Sequence, residues 1–215
     1  MLMSDGQKKQ LQDVLLLIQE GRLEEALSLL EKLSESNPDR IEVWYNLGYV
    51  LMQLDREEEA IKAFDEALAI DNMIFDIWFN KATALYNLAD FEKAKKCYES
   101  ALEINDEDAE AWNNLGNCHS RLAEGQEAIT AYTRAVVVKP DYAEAFYNKA
   151  NAHFIEEEDE KAIAYAELAM ELNPDLRSKI THWIQVSRDR LTAAEREAAH
   201  REKLKVLDRI VNEDN

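Results

Sequence analysis

The chain has 215 residues, 47% of them apolar, with only 5 Gly and 3 Pro, so it can bury a core and reads as long helices joined by short turns. Its formal charge of −19 repels phosphate backbones and anionic lipid, which argues against nucleic-acid or membrane binding. Two cysteines, Cys97 and Cys118, have neither CxxC nor Cys/His spacing, so they read as two reduced, half-buried thiols and neither a disulfide framework nor a metal site is expected.

In chain order, Met1 to Gln10 lacks the apolar run of a signal peptide, and no later run approaches a membrane span, so a cytoplasmic protein is expected. Residues 1–6 read as a tail, with Ser4-x-x-Gln7 as a candidate capping box for the first helix. Beyond it Trp44, Trp78, Trp112 and Phe146 recur every 34 residues. Each opens a helix with an apolar i, i+3, i+4, i+7 face: Trp44, Leu47, Gly48 and Leu51 in the first case. A second helix follows, with Ala60, Phe64 and Ala67.

The later units repeat the pattern, with Trp78, Ala82, Leu85, Ala94, Tyr98 and Ala101, then Trp112, Leu115, Gly116, Ala128, Tyr132 and Ala135. The last has Phe146, Ala150, Ala162 and Ala169. Pro38, Asn72, Asp106, Pro140 and Pro174 close successive units, because these residue types stop a helix and open a turn. The period divides the chain into repeats at 7–40, 41–74, 75–108, 109–142 and 143–176. The first has a degenerate opening half, with Gln10 in the aromatic slot and Val14 in the small one, and a regular second half through Gly21, Leu23, Ala26, Leu30 and Leu33.

From Arg177 onward the pattern changes and the charge turns to +2. Residues 177–215 read as a helical cap: Ile180, Trp183 and Ile184 cover the last repeat, and Thr192-x-x-Glu195 is a second candidate capping box opening a helix from Ala193 to about Val211. One uninterrupted helix is the alternative. The strip Leu204, Leu207, Ile210 and Val211 would either fold back on the last repeat or mediate homo-oligomers through 192–215, with Arg201, Lys203, Lys205 and Arg209 facing the acidic groove of a second copy.

These slots resemble the tetratricopeptide repeat family, with its W-x2-L-G-x2-Y, A-x3-F and closing Pro. The resemblance covers about residues 7–176 and implies an all-α, right-handed α-solenoid of five helix–turn–helix repeats. It also implies a concave groove lined by the first helix of each repeat.

Two steps after each aromatic, a helix has rotated through roughly 200° and faces away from its packing side. The resulting stripes are Glu42-Asn46-Tyr49-Gln53, Asp76-Asn80-Thr83-Asn87, Glu110-Asn114-Asn117-Arg121 and Glu144-Asn148-Asn151-Ile155, flanked by Tyr45, Phe79, Asn113 and Tyr147. Each carboxamide offers a donor and an acceptor that match one peptide unit whatever its side chain. The ladder looks like that of the O-linked N-acetylglucosamine transferases, where it grips substrate backbones; the alternative is that Asn serves the scaffold alone. The row Glu42, Asp76, Glu110 and Glu144 would favour a basic ligand, or simply complement helix N-termini. It opposes the Lys/Arg clamp with which chaperone-binding relatives hold a C-terminal carboxylate.

His119 and His153 share one slot on the packing face and read as semi-buried histidines. The acidic runs Glu57–Glu59 and Glu156–Glu160 read as solvated helix starts. Catalytic motifs, metal-ligand spacing and cofactor motifs are absent, so the expected function is a non-catalytic adaptor that binds extended, basic segments of other proteins.

Overall fold

The computed structural model describes residues 5–213, which fold into helices joined by short turns, without strands. They form two compact units, divided between Asn105 and Asp106. The candidate capping residue Ser4 lies outside the described residues, as do the side chains of Gln7, Arg209, Ile210 and Val211.

The first unit holds three antiparallel hairpins: α1 (Asp5–Gln19) with α2 (Leu23–Ser36), α3 (Ile41–Gln53) with α4 (Glu57–Ile70), and α5 (Phe75–Asn87) with α6 (Phe91–Ile104). The second holds α7 (Ala109–Arg121) with α8 (Gly125–Val138), α9 (Ala143–Ile155) with α10 (Asp159–Leu172), a 3₁₀ turn at Pro174–Leu176, and the cap helices α11 (Arg177–Arg190) and α12 (Ala193–Glu213).

Every hairpin turn is built alike. The second residue beyond the end of the first helix enters the left-handed region: Gly21, Asp55, Ala89, Ala123 and Glu157 have φ of 72, 56, 59, 60 and 58°. Its amide and the next one reach back to the helix; Asp55 N–H bonds to Met52 at 3.1 Å and Arg56 N–H to Leu51 at 2.9 Å. This is the Schellman pattern, which satisfies carbonyls a helix end would otherwise orphan.

Between hairpins the aromatic slot closes the chain. The indole N–H groups of Trp44, Trp78 and Trp112 donate to the carbonyls of Pro38, Asn72 and Asp106 at 2.9, 2.8 and 2.8 Å. Small residues let the paired helices approach: a Cβ added at Gly48 would lie 2.5 Å from the Phe64 ring, and one at Gly116 2.5 Å from Tyr132. The core of the first unit joins Val14, Leu30, Leu33, Val43, Val50, Phe64 and Ile77, all nearly inaccessible. In the second unit Phe146, Ile163, Leu168, Ile180 and Ile184 continue into Ala199 and Val206 of α12.

The tail is two helices, broken at the extended Leu191. Thr192 N–H donates to the Glu195 carboxylate at 2.5 Å, one half of a capping box. α12 folds back along α10; of the expected strip Leu207 packs on the core and Leu204 does not, while the side chains of Ile210 and Val211 lie outside the described residues. Among the described side chains of α12, Ala199, Lys203 and Val206 are buried and Leu207 is partly buried, while Leu204 is 47% exposed. Lys203 is buried in this contact and pairs its ammonium with Glu167 and Glu171 of α10. That choice fixes the i, i+4, i+7 face at 199, 203 and 206 and rotates Leu204 outward. Arg188 and Arg190 of α11 add ion pairs to Glu167 at 3.0 Å and to the buried Asp159 at 3.4 Å.

Candidate functional site

In the first unit, α3 and α5 carry the two stripes. Glu42 and Asp76 are exposed in the first turns of their helices, where a carboxylate also complements the macrodipole. Tyr45, Asn46, Tyr49, Phe79, Asn80 and Thr83 are half-buried. Asn46 Nδ2 donates to the Glu42 carbonyl of its own helix at 2.6 Å. Asn80 Nδ2 reaches across to the Tyr45 hydroxyl of the preceding repeat at 3.3 Å. Thr83 Oγ1 sits 3.0 Å from the Phe79 carbonyl and 2.9 Å from the Tyr98 hydroxyl. Asn87 Nδ2 donates to Glu57 at 3.3 Å.

Aromatic rings fill the spaces between these polar groups. Phe79 stacks on Phe75 at 5.7 Å and meets Tyr98 edge-on at 5.6 Å, and Tyr45 leans on Phe64 at 6.4 Å. Burial pushes the Tyr45 hydroxyl pKa upward, and the charge of Asp76 pushes it the same way, against the Asn80 hydrogen bond. Phenol rings beside a carboxylate form a surface that attracts a cation through both the ring faces and the charge.

The second unit uses the same slots differently. Asn148 Nδ2 donates to Asn113 Oδ1 at 2.9 Å and to Asn117 Oδ1 at 3.3 Å, and the Tyr132 hydroxyl donates to Asn117 Oδ1 at 2.8 Å. Two donors saturate the Asn117 carbonyl. Asn113 is only 2% exposed, so it lies beneath the stripe and holds α9 to α7. Its Nδ2 makes a long contact to Asn114 Oδ1 at 3.5 Å. Tyr147, Asn151 and Asn114 are half-buried, and Glu110 and Glu144 are exposed.

Two of the inter-repeat amide bonds span 35 residues, Tyr45 to Asn80 and Asn113 to Asn148. Sequence reasoning placed Asn80 and Asn148 on stripes and Tyr45 and Asn113 beside the preceding stripes, without pairing them. The usable signal was a polar atom in the flanking slot, supplied by Tyr45 and Asn113.

The shared histidine slot forms a second buried feature. His119 Nδ1 lies 2.6 Å from Glu124, and His153 Nδ1 lies 2.5 Å from Glu158. His153 stacks on Tyr165 at 5.3 Å, with the buried Lys149 ammonium 4.0 Å from the same ring. Burial pulls the His153 pKa down to about 4, against the opposing effect of its hydrogen bond to the Glu158 carboxylate. Cys97 and Cys118 are free and buried, and burial raises the Cys97 thiol pKa. Among the described residues no helix is long and apolar enough to cross a membrane.

Models of the tetratricopeptide repeat match residues 17–74, 75–108, 109–142 and 143–176. No curated protein matches the sequence. Among solved structures, MamA from Desulfovibrio magneticus RS-1 superposes with a TM-score of 0.77 at 21% identity, over 81% of this chain and 98% of that one. YrrB, a TPR protein with an unusual peptide-binding site, superposes with a TM-score of 0.72 at 25% identity, over 85% and 91%. PilF of Pseudomonas aeruginosa gives 0.66 at 18%, over 92% and 97%. The 34-residue step, the small-against-aromatic packing and these matches agree: the chain belongs to the tetratricopeptide repeat family, whose fold is a right-handed α-solenoid.

Proposed function

We propose that this protein-interaction scaffold binds extended segments of partner proteins, bearing Lys or Arg, on the first-helix faces of its repeats. The observation that carries the reading is the cluster of Tyr45, Asp76 and Asn80, in which an amide, a phenol and a carboxylate converge on a half-buried surface. Asn80 commits one N–H to Tyr45 and so retains an acceptor and a second N–H for a peptide unit. The exposed Glu42 and Asp76 supply the countercharge for a basic side chain. A peptide-binding site in the structurally similar YrrB agrees with this class of ligand. No enzymatic family is indicated by the matches, and the scaffold is read as non-catalytic.

The test is fluorescence anisotropy with labelled extended peptides that differ only in carrying Lys/Arg or Glu. Binding of the basic peptide, weakened by Asp76→Asn and by Asn80→Ala at unchanged helicity, is the expected result. Equal affinity for both peptides, or no effect of either substitution, would remove the reading.

Homo-oligomerisation through residues 192–215 is a second reading, favoured by the exposure of Leu204 between the exposed Arg201 and Lys205. Light scattering decides it: a mass that falls to one chain on Leu204→Glu substitution supports assembly, and a single-chain mass in the parent excludes it.

A further inference from the structure

The 34-residue step extends into α1. The left-handed turn residues Gly21 and Asp55 stand 34 positions apart, as do the last residues of α1 and α3, Gln19 and Gln53. Val14, in the slot of Gly48, is buried in one core with Val43 and Leu47 of α3. In this register the stripe Glu42-Asn46-Tyr49-Gln53 of α3 corresponds to Lys8-Gln12-Leu15-Gln19 of α1, and the flanking Tyr45 corresponds to Leu11.

The chemistry of the stripe changes at this step. Leu15 is 50% exposed and Leu11 half-buried, in the slots where α3 carries the phenols of Tyr49 and Tyr45. The bonds from Asn80 to Tyr45 and from Asn148 to Asn113 each reach back 35 residues, and the same step from Asn46 ends on Leu11, whose side chain accepts nothing. Asn46 instead turns one N–H to the Glu42 carbonyl of its own helix. Its Oδ1 and second N–H are then left for a peptide unit, next to an apolar slot.

The countercharge changes with it. The exposed Lys8 stands in the slot that holds Glu42 and Asp76 on the next two first helices. A basic side chain is therefore favoured at α3 and α5 and opposed at α1. Leu16 is as exposed as Leu15, at 53%, but it holds the slot of the buried Val50 and lies about 100° around α1 from the stripe.

We infer that Leu11 and Leu15 form an apolar subsite of the peptide face, a role that rests on the reading above, and that they take an apolar side chain of the same extended segment whose basic residue meets Tyr45 and Asp76. The subsite continues the stripe onto α1, and Asn46 holds the backbone between the two side chains. Packed helices lie about 8–10 Å apart and an extended chain advances about 3.3 Å per residue, so the apolar and basic residues stand about three positions apart. The ligand is thus an extended segment with an apolar end and a basic end, rather than a uniformly basic one.

The probes are fluorescein-labelled peptides of about ten residues with one arginine and, about three positions before or after it, either leucine or serine. Anisotropy against the full chain is expected to show the leucine peptide binding about tenfold or more tighter than the serine peptide in one of the two orders. Leu15→Gln, at unchanged helicity, removes that preference and leaves the serine peptide's affinity as it was, whereas Leu16→Gln keeps the preference. Asp76→Asn weakens both peptides alike. Equal affinity of leucine and serine peptides in both orders, or a preference that survives Leu15→Gln or is lost through Leu16→Gln, overturns the subsite; the peptide reading stands without it if Asp76→Asn still weakens binding. Binding indifferent to Asp76→Asn, or no saturable binding up to about 100 μM, overturns both. A light-scattering mass that falls from two chains to one on Leu15→Gln also overturns the subsite, because a second copy would then cover Leu11 and Leu15.

Discussion

Asn148 donates its side-chain amide to Oδ1 of Asn113, 2.9 Å away on the preceding repeat, and Asn113 is 2% exposed. Removing the donor strands a buried acceptor, which costs about 1–3 kcal/mol. Asn46 instead returns its amide to its own helix at an exposed contact, so its loss costs about 0.5 kcal/mol or less. Urea unfolding of Asn148→Ala and Asn46→Ala should separate them by that margin. Equal midpoints would mean that the inter-repeat bond contributes nothing net.

Gly48 and Gly116 pack under aromatic rings with no room for a methyl group. Gly48→Ala and Gly116→Ala should each destabilise by about 1–3 kcal/mol, the usual range for overpacking. Shortening the opposing ring is the control: Phe64→Leu in the Gly48→Ala background should cost less than the two substitutions added separately. Simple additivity in thermal denaturation would place the strain elsewhere.

The left-handed turn residues offer the opposite sign. Ala89 and Ala123 hold φ of 59 and 60°, where a Cβ costs about 1–2 kcal/mol and glycine costs only its extra chain entropy. Ala89→Gly and Ala123→Gly should therefore stabilise by about 0.5–1 kcal/mol, whereas Gly21→Ala destabilises. A Cβ at Gly21 would meet nothing within 4 Å, so its cost isolates the backbone contribution. Calorimetric midpoints that move the other way would refute this account of the turns.

Acid sensitivity should centre on His153. Its folded pKa of about 4 lies below its ordinary 6.5, so on acidification the unfolded chain takes up a proton that the folded chain refuses. Stability is therefore lost as the pH falls from about 6.5 to about 4, by about 2 kcal/mol between pH 7 and pH 5. His153→Phe keeps a ring against Tyr165 and removes the titration. Its urea midpoint should change less over that interval than the parent's. An identical pH slope would show that the imidazole is not the responsible group.

How far the sequence can be read follows from how a stacked repeat buries its core. Within each unit neighbouring hairpins pack through the same slots, so the constraints recur: a small residue at Gly48 or Gly116 opposite the ring of Phe64 or Tyr132, and an indole at Trp44, Trp78 or Trp112 that closes onto a carbonyl six residues earlier. A contact inside one hairpin or at its border has a fixed sequence separation and is legible as a period. The tail broke this rule. Of the strip Leu204, Leu207, Ile210 and Val211, Leu207 packs on the core but Leu204 is exposed, and Lys203, a residue that reads as solvated, is buried beside it.

The sequence by itself determined the helical hairpin, its small and aromatic slots and the stripes that carry Asn46, Asn80, Asn114 and Asn148. Those features depend on local periodicity and on nearest-neighbour packing, which repeat identically along the chain. Only the tertiary structure decided that Asn148 is engaged with Asn113 and Asn117 while Asn80 reaches a phenol, and that α12 lies on α10 with Lys203 buried in the contact. Each of these turns on which atoms meet within about 3–4 Å across two elements, and side chains of similar spacing but different length and hydrogen-bonding capacity resolve that meeting differently.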